Sequence, residues 1–275
     1  MAGRGDQRQP AARRVAPVSR VALLQVASNA DESVAHRVER VLGSLAEVLP
    51  DCDIAVLPEL WMAGAFDLAL MREIAAPLAS PVLDRVRTLA ADASTWVHAG
   101  SYSERLPDGT TYNTAVLIDP SGAIVATYRK RHLFGFAEGE RTVMSAGDDF
   151  VVVNTPLGRT GLATCYDLRF PEMFRELTAL GAQTFLMSSG WPTSRIEHWR
   201  VLARARAIED LAWLVAANGV GSHAGITLGG HSVVIDPQGG IVAEAGTEEG
   251  VIFADVDPAA SDSWREEFPA LTDRR

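Results

Sequence analysis

At 275 residues and 47% hydrophobic, the chain is long enough to close one large core. Its formal net charge of -10 excludes nucleic acid or an anionic membrane surface as a partner, since both require clustered Lys and Arg. Only two cysteines occur, Cys52 and Cys165, far apart and without metal-spaced neighbours, so neither a disulfide framework nor a zinc knuckle is expected.

Residues 1–18 are rich in Arg, Ala, Gly and Pro and contain no apolar run, which predicts a disordered tail rather than a secretory signal or membrane anchor. Residues 19–275 are expected to form a single domain, cytoplasmic and with reduced thiols. From Val21 the text alternates: VALLQV as a strand, SVAHRVERVLGSLAEVL with apolar residues at helical spacing, then IAVLPE as a strand. A helical region around Leu78 to Ala93 precedes three strands, WVHAGSY, TYNTAVLID and AIVATYRK. The second half restarts the pattern with FVVV, GRTGLATCYD, the helix PEMFRELTALG, the strand TFLMSS, the helix SRIEHWRVLARARAIEDL, the strand AWLVAAN and three further strands to Val256.

One internal similarity stands out. VLIDPSGAIVA from Val116 and VVIDPQGGIVA from Val233 share eight of eleven residues in register. Each reads as a hairpin on a type I turn followed by a left-handed glycine. Convergence on good turn chemistry explains such a pair as readily as a true repeat does. A true repeat implies two similar half-sheets stacked into a four-layer α-β-β-α sandwich, with helices on the outer faces.

Three residues sit at strand ends, where α/β sheets place their sites. Cys165 lies between an apolar strand and the helix opened by Pro171, so nearby backbone N–H groups favour a thiolate or oxyanion. Glu59 follows IAVL in VLPELW, and Lys130 ends the first hairpin between Arg129 and Arg131. Taken singly, each also fits a bland role: a buried structural thiol, a solvated loop carboxylate, one cation of a basic face. Together they are chemically sufficient for amide cleavage, as a base, an oxyanion-binding cation and a nucleophile that leaves an acyl thioester.

The strings LPELW, YRKRHLF and CYDLRFPE, in that order, resemble the three motifs of the nitrilase superfamily of carbon-nitrogen hydrolases. The similarity runs from about Val21 to the closing FPALTDRR and is greatest to the omega-amidase branch. The resemblance implies the α-β-β-α sandwich as two stacked mixed sheets, homodimerisation, no cofactor and no metal, with a small linear amide as substrate. It also implies Glu59 as general base, Lys130 as oxyanion ligand and Cys165 as the acylated nucleophile. A second family glutamate near the lysine matches Glu140, seven residues before Gly147, with Glu138 as the competitor. The Tyr166 backbone N–H is expected to share the oxyanion.

For the pocket, Arg169 is a candidate for an anionic substrate group, against an ion pair with Glu172 or Glu176. Trp191, Phe134 and Phe136 are candidate apolar walls, although Trp191 fits a core indole equally well. Asn113 in YNTA reads either as a site-orienting amide or as a turn residue. Arg204, Arg206 and Glu209 read as ion pairs that fix helix packing. The expected substrate is an omega-amide of a 2-oxo dicarboxylic acid such as 2-oxoglutaramate, with deaminated glutathione, a nitrile or an N-carbamoyl compound as alternatives. Two further readings are a Cys-His hydrolase using His198 or His231, and a catalytically silent scaffold.

Overall fold

The computed structural model describes residues 18–135 and 138–274, so residues 1–17 of the expected tail lie outside the described residues. The first half comprises β1 (Ser19–Gln25), α1 (Val34–Val48), β2 (Ile54–Val56), α2 (Leu68–Glu73), α3 (Pro81–Ala93), β3 (Trp96–Arg105), β4 (Thr111–Ile118) and β5 (Ile124–Arg129). The second comprises β6 (Val152–Thr155), β7 (Gly158–Thr164), α4 (Pro171–Ala179), β8 (Thr184–Ser189), α5 (Ile196–Asp210), β9 (Trp213–Asn218), β10 (Ser222–His223), β11 (Ile226–Thr227), β12 (Val233–Ile235), β13 (Ile241–Glu244), β14 (Gly250–Val256) and α6 (Ala259–Glu267).

These strands form two stacked mixed sheets, ordered β14-β1-β2-β3-β4-β5 and β6-β7-β8-β9-β12-β13. Read in that order, both sheets pair antiparallel, parallel, parallel, antiparallel, antiparallel. The repeated hairpins, β4–β5 and β12–β13, occupy equivalent places, and each carries a register shift next to its turn. Gly122 and Gly239 adopt φ of 77° and 87° there, and each donates its N–H to the turn's aspartate carbonyl. The similarity in the text is therefore matched by a twofold repeat of the whole sheet topology. The exception is β14, which follows the second sheet in the chain but pairs with β1 in the first.

Side-chain alternation along β1 shows the layering. Val21 and Leu23 face the core shared with the second sheet, while Ala22 and Leu24 face the layer of α1 and α3. A strand covered on both faces reads as an unbroken apolar run, as VALL does. Ser33 and Ser80 cap α1 and α3 by accepting from His36 N and Leu83 N, and Pro81 opens α3. The helix expected from Leu78 therefore begins three residues later, because the serine cap and proline set its start. Helices α4 and α5 pack beside each other, α5 against β9 and β12.

Candidate active site

Glu59, Lys130 and Cys165 meet at one edge of the sandwich, beyond the ends of β2, β5 and β7. Glu59 is three residues past β2. Its loop presses so closely on β3 that a Cβ on Gly100, whose φ is 72°, would lie 2.1 Å from the Pro58 carbonyl oxygen. The Glu59 carboxylate is 4% exposed overall and accepts from three donors: Lys130 Nζ at 2.7 Å and Asn113 Nδ2 at 2.8 Å on Oε1, and Gly190 N at 2.9 Å on Oε2.

Lys130 Nζ also donates to Glu140 Oε2 at 2.7 Å. Glu140 opens a single 3-10 turn, Glu140–Thr142, and is buried, accepting further from Phe134 N and Asn113 Nδ2. The competing Glu138 is exposed. Burial opposes the charge on Lys130, but Glu140 and Glu59 outweigh it and hold its pKa well above the usual lysine value. Burial raises the pKa of Glu140, with Lys130 acting in the opposite direction.

Cys165 is buried and has a φ of 46°, a left-handed conformation uncommon for a side chain of any size. It begins the 3-10 turn Cys165–Arg169 that separates β7 from α4. Two buried groups hold this turn. The Asp167 carboxylate accepts from Thr164 N, Tyr128 Oη, His132 N and the His132 ring, tying the Cys165 turn to the segment that carries Lys130. The Arg206 guanidinium donates twice to the Leu168 carbonyl, at 3.0 and 2.8 Å. Burial first, then the charge of Glu59, push the Cys165 thiol far above its ordinary pKa, with Lys130 countering.

The three residues open into a cleft walled by Phe66, Phe134 and Trp191. Tyr166 and Arg169 line it, and so does Arg195, which sequence reasoning missed. The signal was at hand: Arg195 ends the GWPTSR string that begins beside Trp191, and its carbonyl accepts from Trp191 Nε1 at 2.8 Å. Arg169 lies 4.8 Å from the Trp191 ring and Arg195 5.2 Å from that of Phe134. Phe66 gave no comparable signal, and Phe136 lies outside the described residues.

Several expectations are corrected. Among the described residues no ion pair joins Arg169 to Glu172 or Glu176; its guanidinium instead contacts His198 Nδ1 at 3.1 Å. That leaves His198 on Arg169, while His231 pairs with Glu244, and among the described residues no histidine lines the cleft, so the geometry there offers Cys165 no imidazole base. Arg206 pairs with Glu209 as expected, whereas Arg204 donates to the Gly239 carbonyl. Trp191 is both core and wall, 2% exposed and clamped through its backbone by Asn218. Asn113 is no turn residue, since it lies in β4 between two carboxylates. Among the described residues no three His, Cys, Asp or Glu side chains are arranged to hold a metal ion.

The model of the carbon-nitrogen hydrolase family matches residues 20–266. A 2-oxoglutaramate amidase of Paenarthrobacter nicotinovorans is 40% identical over 262 residues, covering 93% of this chain and 89% of that protein. Among solved structures, Saccharomyces cerevisiae Nit3, a member of branch 10 of the nitrilase superfamily, matches with a TM-score of 0.86 at 28% identity, covering 97% of this chain and 100% of that one. A variant of the amidase from Nesterenkonia sp. AN1, carrying the acetamide moiety of fluoroacetamide covalently on its active-site cysteine, matches with a TM-score of 0.80 at 27% identity over 96% of both chains.

Proposed function

We propose, for a chain that belongs to the carbon-nitrogen hydrolase family, that it releases ammonia from the omega-amide of a short 2-oxo dicarboxylic acid through a thioester on Cys165. The observation that carries this reading is the cleft itself. A buried thiol, a carboxylate with three donors and an ammonium held between two carboxylates face one apolar-walled space. The protonated thiol needs a base at the moment of attack, and Glu59 is the carboxylate that takes its proton as sulfur adds to the amide carbon. Lys130 and the Tyr166 N–H bind the oxyanion. The C–N bond then breaks, and Glu59 returns the proton to the departing ammonia. Glu59 next deprotonates a water that attacks the thioester, releasing the acid and restoring the thiol. Glu140 holds Lys130 in place.

Arg169 and Arg195 supply two guanidinium groups for the carboxylate at the far end of the substrate, while Phe66, Phe134 and Trp191 cover its methylene chain. The 2-oxoglutaramate amidase named among the relatives supports this choice. Ammonia release would be measured with 2-oxoglutaramate, its decarboxylated monoamide analogue and deaminated glutathione. The expected order places 2-oxoglutaramate first in kcat/KM, with no turnover by Cys165→Ala. Faster turnover of deaminated glutathione overturns the substrate, turnover by Cys165→Ala overturns the nucleophile, and inactivity on every amide leaves only the scaffold reading.

A thiol nucleophile suits a reducing compartment, which supports a cytoplasmic setting for the domain at 19–275. No helix among the described residues is long and apolar enough to cross a membrane. Homodimerisation is supported by exposed Val201 and Ile208, seven residues apart on α5, and sedimentation as a monomer at micromolar concentration would exclude it.

A further inference from the structure

Two buried carboxylates share one ammonium at this site, a charge balance that needs more than Lys130 to sustain it. Like charges this close ordinarily oblige one carboxyl to keep its proton unless hydrogen-bond donors compensate. Glu59 and Glu140 each accept from three donors. Lys130 Nζ and Asn113 Nδ2 serve both, Gly190 N completes Glu59, and Phe134 N completes Glu140.

Asn113 is fully buried near the start of β4, and its carbonyl accepts from Lys130 N at 2.9 Å, so its position relative to the lysine is fixed by the backbone. Its amide nitrogen lies 2.8 Å from Glu59 Oε1 and 2.8 Å from Glu140 Oε1, so one N–H reaches each carboxylate. The amide oxygen is buried without a hydrogen-bond partner among the described residues. An orphaned acceptor costs about 1–3 kcal/mol, so this side chain is poorly explained as a contributor to stability. Its orientation is set by the two carboxylates.

We propose that Asn113 is a positioning residue that keeps Glu59 and Glu140 ionised together beside Lys130, so that Glu59 stands ready as the base. The proposal rests on the reading of Glu59 as base given above. The other titratable groups facing this cluster are Cys165 and Tyr166 from the turn after β7, with Arg169 from the same turn and Arg195 from the turn after β8. All belong to the second half of the chain. A substitution in β4 therefore changes the balance of the two glutamates without removing any of these charges.

The test is the pH dependence of kcat/KM for ammonia release by the full chain, comparing wild type with Asn113→Leu and Asn113→Ser. Leu is close in size and removes both N–H donors, whereas the Ser hydroxyl can serve one carboxylate. The acid limb reports the ionisations of the free enzyme as macroscopic values. In Asn113→Leu it is expected to move up by about one pH unit or more, so that activity falls about tenfold at pH values on the acid limb and recovers toward alkaline pH. Asn113→Ser is expected to fall between the two, and it carries the test alone if the Leu variant does not fold. In a Glu140→Gln background the same substitution should move the limb by less than half as much, because the competing carboxylate is gone. A uniformly lowered profile with an unmoved acid limb overturns the proposal, as does an equal shift in the Glu140→Gln background. Cys165→Ala serves as the control: if it still turns over, the triad reading has failed; if it is inactive and the limb is unmoved, only the role of Asn113 falls.

Discussion

Cys165 pairs a left-handed backbone with a thiol whose pKa is raised by burial and by the charge of Glu59. Such a thiol is protonated at neutral pH, so the chemistry cannot draw on a standing thiolate. The Glu59→Gln variant separates acidity from catalysis. Removing the carboxylate lowers the thiol pKa, so alkylation of Cys165 by a small neutral reagent should titrate at lower pH than in wild type. Amide turnover should nevertheless fall about 100-fold or more, because the proton has lost its acceptor. Faster alkylation accompanied by undiminished turnover would remove Glu59 from the mechanism. Residue identities at this scale were partly legible: Glu59, Lys130 and Cys165 each stand in a recognisable string at a strand end, and Glu140 stands out by its spacing to Gly147. The bridging role of Asn113 was not, since its two carboxylate partners lie 54 and 27 residues away in the chain. Arg195 was hidden for a similar reason, because it reaches the cleft through the turn that follows β8.

The long elements were legible because they repeat a simple pattern, as in the buried strands and the serine-capped helices. Some short ones were not. Helix α2 has six residues and the β10–β11 pair has two residues on each side, too few for periodicity to register. Strand β3 holds a feature that pattern alone passes over. His98 is fully buried, neither ring nitrogen has a hydrogen-bond partner among the described residues, and burial lowers its pKa to about 4. A base whose folded pKa is depressed stabilises the fold above its unfolded pKa and loses that contribution as pH falls toward the folded value. Between about pH 6.5 and 4 the chain should therefore lose up to about 3 kcal/mol through this residue. Urea unfolding at pH 7 and pH 4.5 measures the loss, and His98→Leu should flatten that part of the profile. An equally steep decline in the variant would assign acid sensitivity to other groups.

At the scale of the molecule, the layered sandwich followed from the hairpin similarity once both sheets were seen to share one order of pairing. The text gave no sign that β14 returns to the first sheet, because register between distant strands depends on neighbours that only the folded core brings together. That return interlocks the halves: Glu59, Asn113 and Lys130 come from one, Cys165 and Gly190 from the other, and β14 of the second completes the first. The chain should consequently behave as a two-part reporter. If it is broken between Met144 and Phe150, the N-terminal piece lacks the strand that shields β1 and should be poorly soluble alone. The C-terminal piece keeps Cys165 but has neither Glu59 nor Lys130. Ammonia release should appear only on mixing the pieces, with a rate that follows the concentration of the reassembled pair, so turnover becomes a direct count of reunited halves. Activity in either fragment by itself would show that the reaction does not need both sheets.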